Sequence, residues 1–265
     1  MQLYRILPLL LLPAAAAVAQ PALDGEPARI FHFAHAGSPQ QRQEILNAIR
    51  IIGEIQRSTT DDAAGALVVR GTPAQVELAA WVFGELDRAP GQPAATAVES
   101  YHYSGEAAPE ARAFFLAHFA APQPIQELVN TLRSVAELNR VVAYMSNSAV
   151  LVRGGPAQVD LAAWIVHNLD QPAGVLRDAK PLEYTYPDSS SRPATAVRMF
   201  HLSHAVTPKA IEDLIDAVRS IAEVQRITMD SATSTVTLRA TPEQAALATW
   251  LIQELDRAPA SRVEK

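Results

Sequence analysis

Apolar positions along this chain follow one rhythm, change to another, and then begin again. From Arg29 to His35, alternation places Phe31 and Phe33 on one face with Arg29 and His35 at its ends, the pattern of a strand covered on one side. Phe114 and Leu116, then Phe200 and Leu202, repeat that face. After each strand the spacing lengthens to a helical period: Ile45, Ile49 and Ile52; Leu128, Leu132 and Val135; Leu214, Val218 and Ile221. Two β-rich segments follow. Val141 to Tyr144 and Val150 to Val152 flank the polar Ser146-Asn147-Ser148, and Arg226 to Met229 with Thr235 to Leu238 are the later counterpart, so a hairpin is predicted. In the first copy Ser58 to Thr60 is a thin strand and Asp61 to Gly65 a looser turn. A second helix closes the unit, with Val76, Ala80 and Phe83, then Val159, Ala163 and Val166, on one face.

The punctuation agrees with the period. Ser38-Pro39 and Thr207-Pro208 are helix-start signals, whereas Ala121-Pro122 lacks the capping hydroxyl. Thr72-Pro73-Ala-Gln75 and Thr241-Pro242-Glu-Gln244 have capping-box spacing, and Gly155-Pro156-Ala-Gln158 keeps all but the hydroxyl. Residues 29–89, 112–172 and 198–258 align without a gap as three copies of 61 residues. The predicted fold is α+β: three tandem βαββα modules, each a three-stranded sheet packed against two helices. A unit this small has a marginal core, so support from its neighbours is expected.

The linkers 90–111 and 173–197 are rich in proline, alanine, serine and glycine, yet each carries an aromatic piece, Tyr101-His-Tyr103 and Tyr184-Thr-Tyr186. These read as an extra edge strand or packing clip, with an exposed partner strip as the alternative. The first residues resemble a secretory signal peptide. Arg5 precedes the apolar run Ile6 to Leu12, and Ala17-Val18-Ala19 sets cleavage after Ala19, giving a periplasmic or secreted chain with no membrane span after cleavage.

Composition narrows the function. Hydrophobic residues at 49% and charged residues at 19% describe a folded chain. A net charge of −6, with basic residues spread through all copies, argues against nucleic acid as partner. With no cysteine there is no disulfide, thiolate metal site or cysteine nucleophile. His35, His118 and His204 recur singly rather than as a ligand cluster, and read as strand-end histidines bonded to nearby backbone. Arg50/Glu54, Arg133/Glu137 and Arg219/Glu223 are four apart, a spacing that allows a weak pair on the exposed side, and they read as a solvated edge, not an acid and base. No P-loop, Gly-x-Ser-x-Gly elbow or His-Glu-x-x-His is present, so no catalytic residue, cofactor or metal is assigned. Trp81, Trp164 and Trp250 sit beside the core stripe of each second helix; with Tyr101, Tyr103, Tyr184 and Tyr186 they are the candidate partner-binding residues.

Phe31 to Ala36, Phe200 to Ala205, Val150 to Pro156, Gly71-Thr72-Pro73 and the Leu-Asp pairs at 86–87, 169–170 and 255–256 resemble the short N-terminal repeat domains of bacterial secretins, modules with a KH-like element order. The tryptophans are bulkier than that family pattern. The resemblance implies a non-enzymatic periplasmic scaffold that contacts envelope or secretion-system proteins, accessory to a secretin-type secretion or pilus system. Self-association or lateral docking through sheet edges and the tryptophan-bearing helices is also expected. The alternative is a cell-envelope protein that binds peptidoglycan or polysaccharide through its aromatic residues.

Overall fold

The structure, a computed structural model, describes residues 26–89, 99–102, 109–172, 180–187, 194–205 and 207–257. The leader 1–19, Tyr103 and much of both linkers lie outside them. Among the described residues the fold is α+β, with six α-helices and three antiparallel sheets.

Strand β1 (Ala28–His32), helix α1 (Pro39–Gly53), strands β2 (Ser58–Asp61) and β3 (Ala66–Arg70) and helix α2 (Pro73–Leu86) form the first unit, with sheet order β1-β3-β2. The second contains β4 (Glu99–His102), β5 (Glu110–Phe115), α3 (Pro122–Ser134), β6 (Arg140–Tyr144), β7 (Ala149–Gly154) and α4 (Pro156–Leu169), in order β4-β5-β7-β6. The third contains β8 (Leu182–Tyr186), β9 (Thr195–His201), α5 (Pro208–Ile221), β10 (Arg226–Asp230), β11 (Thr235–Ala240) and α6 (Pro242–Leu255), in order β8-β9-β11-β10.

The second and third sheets therefore have four strands where three are predicted. The added strands are the aromatic linker pieces: Tyr101 pairs with Ala111, and Tyr184 with Val197. An unpaired outer edge of β5 or β9 would leave a row of open N–H and C=O groups, and a β-prone linker segment closes it.

The helix starts behave as their chemistry requires. Ser38 Oγ accepts from Gln41 N at 3.2 Å, and Thr72 and Thr241 Oγ1 accept from Gln75 N and Gln244 N at 3.3 Å. Ala121 has the extended cap conformation but no side-chain bond. The thin strand β2 spans four residues, and the polar turn of the second hairpin is a 3₁₀ turn over Met145–Asn147.

Strand β7 is apolar on both faces, as a strand buried on both sides must be. Val150 and Val152 join the core of their own helices, while Ala149 and Leu151 join Ile49 and Ile52 of the preceding unit. Likewise Val236 and Leu238 serve the third core, and Val197 and Met199 join that of the second unit. Helix α1 packs on β6 and α3 on β10, so the first helices of the first two units carry the sheet of the next unit. Ile52 and Val135 are fully buried there, each worth roughly 2 kcal/mol of burial.

Candidate functional site

The most structured polar features of the molecule are the two junctions between units, and they repeat one geometry. Helix α1 ends on Glu54, and Glu137 follows α3 three residues beyond Ser134; both are left-handed, at φ 54° and 55°. That conformation normally suits glycine or asparagine, so a glutamate there needs compensation. One part is local: Gln75 Nε2 donates to Glu54 O at 3.1 Å, and Gln158 Nε2 to Glu137 O at 2.8 Å. The other part crosses the junction. Glu54 pairs with Arg140 and, at 3.3 Å, with Arg153; Glu137 pairs with Arg226 and, at 3.3 Å, with Arg239.

Each arginine couple is a cross-strand pair, Arg140 opposite Arg153 and Arg226 opposite Arg239. Like charges facing across a ladder repel, and a carboxylate from the preceding helix end relieves this. The arginines also reach the helix backbone: Arg153 Nη1 donates to Ile52 O at 2.9 Å and Arg239 Nη1 to Val135 O at 3.2 Å. Further along the helices, Ser146 N and Oγ donate to Glu44 at 3.2 and 3.0 Å, and Ser231 N and Oγ to Glu127 at 2.7 and 2.8 Å. The bonded Arg140 guanidinium holds the Glu54 carboxyl below the usual carboxylate range.

Within each unit a second device recurs. Asp87 accepts from the backbone N–H groups of Ala34, His35 and Ala36, Asp170 from Ala117, His118 and Phe119, and Asp256 from Ser203, His204 and Ala205. The Nδ1 atoms of His35, His118 and His204 each lie 3.0 Å from the carbonyl oxygen of that aspartate. The Leu-Asp pairs and the recurrent histidines are thus one clasp joining the end of the second helix to the end of the first strand. Its donors are fixed backbone groups, which suits a carboxylate.

The chain resembles the N-terminal domains of secretins. The solved structures similar to it include the N-terminal domain of the secretin XcpQ from Pseudomonas aeruginosa, at 14% identity and a TM-score of 0.27, covering 88% of this chain and 100% of that one. Aeromonas hydrophila ExeD is similar at 15% identity and a TM-score of 0.21, over 87% of this chain. The GspD secretin of an ETEC pilotin-secretin complex is similar at 18% identity and a TM-score of 0.20, over 89% of this chain. The chain spans 41% and 38% of the lengths of these last two. No family model and no curated protein matches the sequence.

The aromatic candidates fall in two groups. Trp81 meets Tyr101 at a ring separation of 5.9 Å, and Trp164 meets Tyr184 at 5.6 Å, both tilted at 47°. Each added strand therefore lies against the second helix of the unit before it. Tyr186 faces the Arg239 guanidinium, 3.8 Å from the ring centroid, a cation–π contact at the second junction. Trp250 stands apart, 57% exposed.

The arginine and glutamate four residues apart on each first helix do not pair with each other. Arg50 Nη2, Arg133 Nη2 and Arg219 Nη2 donate to Ser58 O, Val141 O and Ile227 O at 2.6, 3.0 and 3.4 Å, tying each first helix to the hairpin of its own unit. The glutamates are left for the next unit because the left-handed cap turns them away from the helix flank. Glu54 and Glu137 stand out in the sequence, whereas Arg140, Arg153, Arg226 and Arg239 do not stand out there as their partners. The available signal was an arginine at the start of one hairpin strand and the end of the other.

Among the described residues no group of three metal-ligating side chains occurs, and no helix is long and apolar enough to cross a membrane. An open cleft of about 430 Å³ lies between α3 and α5, lined by Glu127, Asn130, Ile215 and Arg219 among others. A second, of about 570 Å³, lies at the first junction beside Glu54 and Arg140.

Proposed function

We propose that this chain is a non-enzymatic periplasmic scaffold of three tandem βαββα modules, which holds protein partners of a secretin-type secretion or pilus assembly system. The observation that carries this reading is the repeated junction. Charged and polar residues that a reactive site would gather in one place are instead spent, copy by copy, on Asp–His clasps and on Glu–Arg contacts that fix the units in series. Strands β2, β6 and β10 are edge strands of their sheets, each with one carbonyl held by an arginine of its own first helix, and the remainder of such an edge can accept an added strand from a partner. The sequence resemblance to secretin repeat modules and the signal-like leader support the same role and compartment.

Envelope glycan binding is the second reading, favoured by the repeated tryptophan–tyrosine pairs. Crosslinking in living cells, followed by purification of the tagged chain and mass spectrometry, tests the choice. Recovery of secretion or pilus components through the β2, β6 or β10 edge supports the scaffold. A chain that captures no envelope protein yet binds isolated cell wall, with affinity lost on Tyr184→Ala, would overturn it.

A further inference from the structure

Among the described residues the exposed large apolar side chains, Ile51 of α1 apart, gather at the two ends of the series. Ile221 is 56% exposed, although the residues at its position in the first two units, Ile52 and Val135, are at 0%. Leu247 and Leu255 are exposed while Leu78, Leu161, Leu86 and Leu169 are buried, and Trp250 belongs to the same end. At the opposite end Ile30 is 47% exposed, whereas its counterparts Ala113 and Met199 are at 0% beneath the preceding unit. One end thus presents the helix face that elsewhere carries a sheet. The other presents the sheet face that elsewhere rests on a helix.

The polar pattern matches. Glu223 holds the same left-handed conformation as Glu54 and Glu137, φ 54°, with its carbonyl held by Gln244 Nε2 at 3.1 Å, but its carboxylate meets no arginine among the described residues. Arg57 and Arg70 occupy, in the first unit, the places of the two arginine couples, with Arg70 N donating to Arg57 O at 2.9 Å. Arg57 pairs with Glu26 of its own chain at 3.0 Å, both side chains largely exposed, which makes that contact weak and exchangeable.

We infer that a second copy of this chain docks its first sheet on the α5 face, with Ile30 against Ile221 and Arg57 and Arg70 toward Glu223. The contact repeats the internal junctions between molecules and is head-to-tail, so it propagates or closes into a ring rather than stopping at a dimer. The serine contact of the internal junctions is not reproduced. Asp62 is held by Arg42 and Asp213 by Lys209 where a serine and an acid would meet, so this contact is weaker than the internal ones and salt-sensitive. It does not depend on the partner-scaffold reading, since it uses the ends of the series and not its edges.

Sedimentation of the purified chain up to about 0.5 mM decides it. The average mass is expected to climb beyond a dimer with concentration and to fall with salt. Ile30→Asp and Ile221→Asp, both at exposed positions, should each give a folded monomer with an unchanged thermal melt. Mixing the two variants should restore association, but only to a one-to-one pair, because each retains one intact face. Glu223→Arg should weaken self-association of the parent about tenfold or more. A parent chain that stays monomeric, a parent that stops at a dimer, or variants that fail to complement each other would overturn the inference.

Discussion

Glu137 and Arg239 meet at 3.3 Å across the second junction, where the arginine side chain is only 3% exposed and the glutamate backbone is left-handed. Removing the carboxylate leaves a buried guanidinium facing Arg226, so Glu137→Gln should cost roughly 3 kcal/mol in urea unfolding. Arg239→Met added to Glu137→Gln should recover much of that loss. Additive losses in this double-mutant cycle would show that the two residues are not coupled.

The same conformation at Glu223 has no arginine to compensate it among the described residues. Glycine there should raise the unfolding free energy of the monomer by about 1 kcal/mol, through relief of left-handed strain. Glycine at Glu137 should lower it, because the lost ion pair outweighs the same relief. Equal signs for the two substitutions in thermal melts would refute this account.

Asp170 satisfies three backbone N–H groups, with bonds of 2.6 to 2.9 Å. Asp170→Ala should cost about 2–3 kcal/mol, and the amides of Ala117, His118 and Phe119 should lose their protection in hydrogen exchange. Retained protection at those amides would remove the clasp from the explanation.

Ala121 already has cap geometry, φ −86° and ψ 151°, close to that of Thr207 at −84° and 147°. Ala121→Ser should therefore stabilise the chain by about 1 kcal/mol, read as a higher melting temperature. A neutral result would mean that the start of α3 is held by packing alone.

Burial keeps the His201 imidazole below its ordinary value, with Thr235 Oγ1 at 2.7 Å from Nδ1. The unfolded chain takes up this proton first as pH falls, so stability is level above the ordinary histidine value and declines from about pH 6.5 down to the folded pKa. His201→Phe, which copies Phe115 of the second unit, should flatten that decline in unfolding free energies measured from about pH 8 to about pH 5. Burial raises the Asp230 carboxyl, which acts in the opposite sense: its contribution is present at low pH and is lost as pH rises through its folded pKa. An unchanged slope in His201→Phe would assign the pH dependence to other groups.

Much of this structure is legible in the residues. The Ile45-Ile49-Ile52 stripe and the capping boxes at Thr72 and Thr241 are local signals found where the spacing puts them, while the first strand, read through Phe33, ends at His32. Tyr101 and Tyr184 were readable as an edge strand, while the sheet each would join was not. The partners of Glu54 are not legible in the sequence, since Arg50 lies one helical turn away and Arg153 lies 99 residues away. Nearness along the chain favours the first, and only the direction of a left-handed cap favours the second.

Legible in the residues alone are the recurring strand and helix signals and which helix starts carry a capping hydroxyl, because period, propensity and caps act over a few residues. What the recurring residues do depends on contacts made between units. Ile52, Val135 and Ile221 occupy one position of one pattern, yet the first two are buried and the third is exposed. Their fates differ because burial here comes from the sheet of a neighbouring unit, and no local pattern records whether that neighbour is in place.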